Sequence, residues 1–324
     1  MLENLHAPEN PTPSFGPAHS KDTDPILRAY LFLVLAILMW AGNWVAGRGF
    51  EGVEPPLGIN FWRWFVAVAV LAPFGIPALR RNWAQVRPHI GSLVVLGVVG
   101  GALFHSLVYL GLQRTTAINA TLINTTIPVF TMLLAWIVLG ERVRPLQVFG
   151  VFLSILGVLV IVSRGALSAL MTMSFNPGDL IVLAAMPIWA VYTILVRRAP
   201  KGLNLARIDT LFVISLAALA AQLPAYLLET AYFRPVSFAW SSLAVFVYMG
   251  IFASVLAYGL WNAGVSAVGA NQAVFTVPLL PAFATVFAIV LLGEEPRLYH
   301  LAAAALILGG VYLSAIHRHL FKPR

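Results

Sequence analysis

Residues 117–141 read AINATLINTTIPVFTMLLAWIVLGE, and residues 270–294 read ANQAVFTVPLLPAFATVFAIVLLGE. At a shift of 153 positions, Ala117, Ala120, Pro128, Phe130, Leu139, Gly140 and Glu141 meet Ala270, Ala273, Pro281, Phe283, Leu292, Gly293 and Glu294. The register extends to Gly111 against Gly264, Arg144 against Arg297 and Gly157 against Gly310. Chance readily matches Ala and Leu between apolar helices. A proline followed at the same spacing by Leu-Gly-Glu, twice, indicates an internal duplication. Each block is also long and apolar enough to cross a bilayer, which takes about 20 residues of helix.

The rest of the chain has the same character. Of 324 residues, 60% are hydrophobic and 10% charged, against about 25% charged in an ordinary soluble domain. So few charges cannot cover a water-exposed surface. Apolar runs separated by polar punctuation predict ten spans: Arg28–Gly49, Leu57–Leu79, Ile90–Leu112, Thr116–Leu139, Leu146–Ser163, Asp179–Val196, Ile208–Leu228, Leu243–Trp261, Ala270–Leu292 and Leu298–Ile316. The fold class is therefore all-α integral membrane. The chain divides into a disordered, proline-rich cytoplasmic tail (1–27), a first five-helix repeat (28–163), an external linker (164–178), a second five-helix repeat (179–316) and a basic cytoplasmic tail (317–324). Loops this short leave no room for a soluble domain.

The net charge of +8 belongs to membrane orientation rather than to nucleic acid. Lys21, Arg28, Arg80, Arg81, Arg87, Arg142, Arg144, Arg197, Arg198, Lys201, Arg207, Arg318, Lys322 and Arg324 fall on one side, and only Arg48, Arg114, Arg164, Arg234 and Arg297 on the other. This places both termini in the cytoplasm. The absence of cysteine excludes disulfides, thiolate catalysis and Cys-ligated metals. Five spans per repeat, an odd number, make the second copy enter the membrane from the opposite face. Two inverted bundles around a central cavity are the usual basis of alternating access.

Ten spans in this order, with Ala117-Ile-Asn-Ala through Pro128 to Leu139-Gly-Glu141, Gly269-Ala-Asn-Gln through Pro281 to Leu292-Gly-Glu294, Trp40-Ala-Gly-Asn-Trp44 and Arg63, resemble the EamA-type drug/metabolite transporter superfamily. The likeness covers about residues 28 to 317. It implies export of small metabolites from the bacterial cytoplasm across the inner membrane. Within the superfamily the chain looks most like YddG-type exporters of amino acids, aromatic ones included.

Polar and aromatic side chains at membrane depth are the candidates for substrate contact, because each is costly there. They are Trp40, Asn43, Trp44, Arg63, His105, Tyr109, Asn119, Asn124, Trp189, Tyr192, Tyr258, Asn271 and Gln272. For each polar residue the competing role is an interhelical hydrogen bond. Arg63 either holds a substrate carboxylate, or snorkels to the external interface, or pairs with Glu51, Glu54 or Glu294. His105 is the one candidate proton carrier, since every Asp and Glu falls in a tail, a loop or a span end. Pro128, Pro278 and Pro281 are hinge candidates whose freed carbonyls offer a site for an ammonium group, and Glu141 and Glu294 are gate candidates. An aromatic cavity suits apolar or aromatic substrates.

The expected function is thus secondary export of amino acids or similar amphipathic metabolites, with the bilayer and a small molecule as the only partners, and no nucleic acid or obligatory protein among them. The alternatives are a facilitative, channel-like pore or an exporter of cationic drugs, and more remotely an intramembrane enzyme. Against an enzyme, the chain has no His-Glu-x-x-His or Gly-x-Ser-x-Gly motif and no buried carboxylate pair. Without a phosphate-binding loop it is no ATP-driven pump. Neither cofactor nor metal is expected.

Overall fold

In hydrocarbon a backbone N–H or C=O finds no water, so each apolar run must satisfy its backbone internally as a helix. A computed structural model describes residues 25–140, 145–166, 175–200, 203–204, 207–268, 273 and 276–320, and among these no strand occurs. The first two spans are continuous helices, Pro25–Gly49 and Pro56–Arg81. The third runs over Trp83–Leu112 and the fourth over Ala117–Leu139. Pro145–Val162, Pro177–Arg197 and Ile208–Tyr232 follow. The eighth begins at Trp240 and continues as helix to Val268, past the expected end at Trp261. Leu279–Leu292 and Leu298–Leu320 complete the series. Phe74, Ile137, Val290 and Leu301 are exposed, while Asn60, Arg63, Asn119 and Gln222 are buried. This is a membrane protein's arrangement, with apolar groups facing lipid and polar groups inside.

Two spans are not the unbroken helices expected. The fourth consists of Ala117–Asn124 and Ile127–Leu139 with a turn at Thr125-Thr126 between them. In the ninth, a turn at Val277-Pro278 interrupts the expected span, and Leu279–Leu292 follows it as regular helix. Pro128 is therefore the second residue of a new helix, Pro278 an N-cap and Pro281 a third residue. In a first turn the missing N–H has no intrahelical acceptor to lose. Next to these breaks the Thr125 and Thr126 hydroxyls donate to Leu122 O (2.6 Å) and Ile123 O (2.7 Å), and Thr276 donates to Ala273 O (2.7 Å). The Leu-Gly-Glu motif ends both helices alike: Gly140 (φ 65°) and Gly293 (φ 67°) adopt the left-handed conformation that closes a helix.

The third and eighth spans share a second irregularity. Gly97–Leu103 and Tyr248–Leu256 are wound as π-helix, and their leading glycines Gly97 and Gly250 are 153 positions apart. The wider turn leaves carbonyls available to side chains, a frequent property of functional sites.

Contacts between the halves show the inversion directly. A Cβ on Gly157 would meet Ile307 and the Ala303 carbonyl, while one on Gly310 would meet Gly150 and Ser154. Those partners are themselves repeat mates, so the contact is reciprocal. As numbering rises along the fifth helix it falls along the tenth, so the two run antiparallel. The second and seventh helices behave likewise, with Gly58 beside Glu229 and Gly75 beside Phe212. Across the same axis Gly111 packs on Val182 of the sixth helix and Gly264 on Leu33 of the first. Equivalent helices that pack antiparallel define two inverted bundles.

Candidate functional site

Arg63 lies six residues beyond Leu57 in the second helix and is 1% exposed. Its Nε donates to Ser254 Oγ (2.6 Å) in the π-segment of the eighth span, and a terminal nitrogen donates to Tyr109 OH (3.1 Å). Tyr109 in turn donates to Asn43 Oδ1 (2.8 Å), and the guanidinium carbon stands 5.2 Å from the Trp64 ring. Among the described residues no carboxylate comes within 4.0 Å of Arg63. The three acids expected as partners are engaged elsewhere. Glu51 pairs with Arg48, Glu54 accepts from Ser237 and Ser242, and Glu294 accepts from the Ala117 and Ile118 N–H groups. Nor does Arg63 snorkel. A buried cation held by neutral donors and acceptors is left with its charge uncompensated.

Two aromatic groups flank this network. Trp40 packs edge-on against Tyr258 (centroids 5.4 Å apart), touches Trp261 (5.4 Å) and donates its indole N–H to Ala253 O (3.1 Å). Trp189 packs edge-on against His105 (6.3 Å) and lies against Phe104 (4.6 Å) and Tyr192 (4.8 Å). Repeat symmetry relates the pairs: Trp40 and Trp189 occupy matching places in the first and sixth helices, as do His105 and Tyr258 in the third and eighth. Tyr258 is within electrostatic reach of Arg63 and Tyr109, and Tyr192 within reach of Tyr258. Tyr192 and Tyr258 are both partly accessible.

The π-segments organise the polar part of the site. Gly101 O accepts from Trp64 Nε1 (3.0 Å), Asn60 donates to Gly101 O and Ala102 O (3.3 and 3.2 Å), and His105 Nδ1–H donates to Gly100 O (2.9 Å). Asn60, Gln222 and Ser254 are buried participants that sequence reasoning passed over. Asn60 was legible in principle, one helical turn before Arg63 on the same face.

Other candidates lie apart from this centre. Trp44 is buried in the same apolar cluster as Tyr109 and is not among the polar contacts of Arg63. Asn119 joins a seam between the halves instead, donating to Asp179 (3.3 Å) and hydrogen-bonding to His300 Nε2 (2.9 Å). Thr115 also donates to Asp179. In the same seam Glu294 caps the fourth helix through the Ala117 (2.8 Å) and Ile118 (3.1 Å) N–H groups, 3.9 Å from Arg48. A carboxylate there is favoured by the helix dipole. Asn124 is buried in the same half-helix. Asn271, Gln272 and Glu141 lie outside the described residues.

Inverted bundles of membrane-spanning helices with polar and aromatic groups between them are the architecture of a multi-pass membrane transporter. The chain belongs to the EamA-like transporter family, whose model matches residues 27–163 and 176–316. It is similar to the uncharacterized transporter YyaM of Bacillus subtilis, 29% identical over 88% of this chain and 92% of that protein. It is 31% identical to a probable terminal-alkyne amino-acid exporter of Streptantibioticus cattleyicolor, over 88% of this chain and 93% of the relative. A solved crystal structure at 24% identity matches the fold with a TM-score of 0.57, over 91% of this chain and 99% of its own.

Proposed function

We propose that the chain is a secondary transporter that exports amino acids, aromatic and other apolar ones included, or similar small amphipathic metabolites, by alternating access. It does so across a bacterial inner membrane, with both termini in the cytoplasm. The observation that carries this reading is Arg63: a buried guanidinium with no counter-carboxylate among the described residues, beside the aromatic side chains Trp64 and Tyr109. A substrate carboxylate supplies the missing charge through a charge-assisted hydrogen bond. The Trp40–Tyr258 and Trp189–Tyr192 rings receive the apolar side chain and attract the ammonium group. An uncompensated cation repels cationic drugs, so export of those is disfavoured. The amino-acid exporter among the relatives supports the same substrate class.

Reconstitution into liposomes tests the proposal. Saturable uptake of labelled amino acids with counterflow is expected, and the methyl ester of the best substrate should compete at least about tenfold more weakly, the loss of one strong polar contact. Equal transport of acid and ester overturns the assignment of Arg63. Flux that never saturates overturns the carrier.

A further inference from the structure

The short link Gln113-Arg114-Thr115 is structurally unsatisfied in a way the transport site does not explain. Beside it a crevice of about 370 Å³ lies between the second, third and sixth helices, lined by Pro56, Leu107, Leu110, Gln113, Arg114 and Ile181. That volume falls within the roughly 300–1,000 Å³ of small-molecule sites. Leu103, Leu107, Leu110 and Arg114 follow one another at helical spacing along a single face of the third span, and both Leu103 and Arg114 are exposed. His105 and Tyr109, which face the transport centre, lie on a different side of that helix. The crevice therefore opens toward the bilayer rather than toward the centre.

Two polar groups at its mouth are unmatched. Gln113 Oε1 accepts from the Gly52 N–H (3.2 Å), but its Nε2 is buried with no hydrogen-bond acceptor. Native proteins rarely leave such a donor unpaired. The Arg114 guanidinium has no ion-pair partner among the described residues. The acids on neighbouring elements are occupied: Glu51 by Arg48, Glu229 by the Leu57 and Gly58 N–H groups, and Asp179 by Thr115 and Asn119. What remains is a positive charge and a free N–H above an apolar wall.

We propose that this crevice binds an anionic phospholipid of the surrounding membrane. A phosphodiester oxygen accepts from Gln113 Nε2, Arg114 neutralises the charge, and one acyl chain lies along Leu107, Leu110 and Ile181. The charge selects an anionic over a zwitterionic headgroup, because a choline ammonium brings a second cation next to Arg114. The apolar wall selects a lipid over a free anion.

Native mass spectrometry of the full chain in detergent tests this, with phosphatidylglycerol and phosphatidylcholine of identical chains as probes. Wild type should retain phosphatidylglycerol with about tenfold preference, the size of one charge-assisted contact. Arg114→Gln should abolish the preference, and Leu110→Trp, which fills the crevice, should abolish retention itself. Thermal unfolding without lipid checks that each variant folds, and Leu107→Phe replaces Leu110→Trp if that variant does not. Equal retention of the two lipids overturns the proposal, as does a preference that survives both substitutions. It is also overturned by displacement with soluble glycerol phosphate, or by a dimer mass lost in the same variants, which would give the crevice to a second copy. None of these readouts depends on the transported substrate.

Discussion

A guanidinium at membrane depth costs about 2.5–3.5 kcal/mol on insertion scales, and Arg63 meets that cost with two neutral hydrogen bonds and an aromatic face. Removing the charge should therefore relieve the resting protein while disabling it. Arg63→Gln is expected to keep or raise the unfolding temperature in detergent and to reduce amino-acid uptake at least about tenfold. Loss of both stability and uptake would mark Arg63 as a packing residue. Arg63→Lys keeps the charge but not the fork, so intermediate uptake is expected. At Trp40 and Trp189, removal of either indole should weaken transport of aromatic substrates more than of small ones. A uniform loss across substrates would assign the rings to folding. The sequence made Arg63, Tyr109 and the two tryptophans legible as candidates, because a charge or a large polar ring inside an apolar run is conspicuous. It did not separate Asn119, bound to Asp179 and His300, from a cavity-lining asparagine. An amide looks the same in the sequence whichever neighbour it bonds.

At the scale of the element, small residues decide how closely helices approach. Gly309 has open space where a Cβ would go, while its neighbour Gly310 abuts Ser154 and the Gly150 carbonyl. Gly310→Leu should lower stability by about 1–3 kcal/mol, the usual cost of overpacking, and Gly309→Leu should be nearly silent. Thermal unfolding of the two variants makes the comparison, and similar melting temperatures would refute the tight seam. The apolar runs revealed that ten helical segments exist and roughly where they stop. They concealed the turn at Thr125-Thr126 and the π-winding of Gly97–Leu103, because neither changes the hydrophobicity of the run. A wider turn needs only an extra residue per repeat and a glycine to let a neighbour in. Gly97 and Gly250 supply that without breaking the pattern.

For the whole molecule, orientation is open to a direct test because the chain has no cysteine of its own. Val53 and Arg80 are exposed at opposite ends of the second helix. In intact cells an impermeant maleimide should label Val53→Cys, and should label Arg80→Cys only after lysis. The reverse pattern would place both termini outside. The doubled architecture was the most legible level of all, since repeat spacing and an odd number of spans determine it together, whereas the side-chain packing between the bundles is encoded by no spacing.

Reciprocal packing of the fifth helix on the tenth has one more consequence. Its partners are mates from the two copies, so the seam has the form of a contact between like subunits fused into one polypeptide. Severed between Gly165 and Phe175, the two pieces made together should find each other in the membrane and co-purify, whereas each made alone lacks the surface its glycines were shaped to meet.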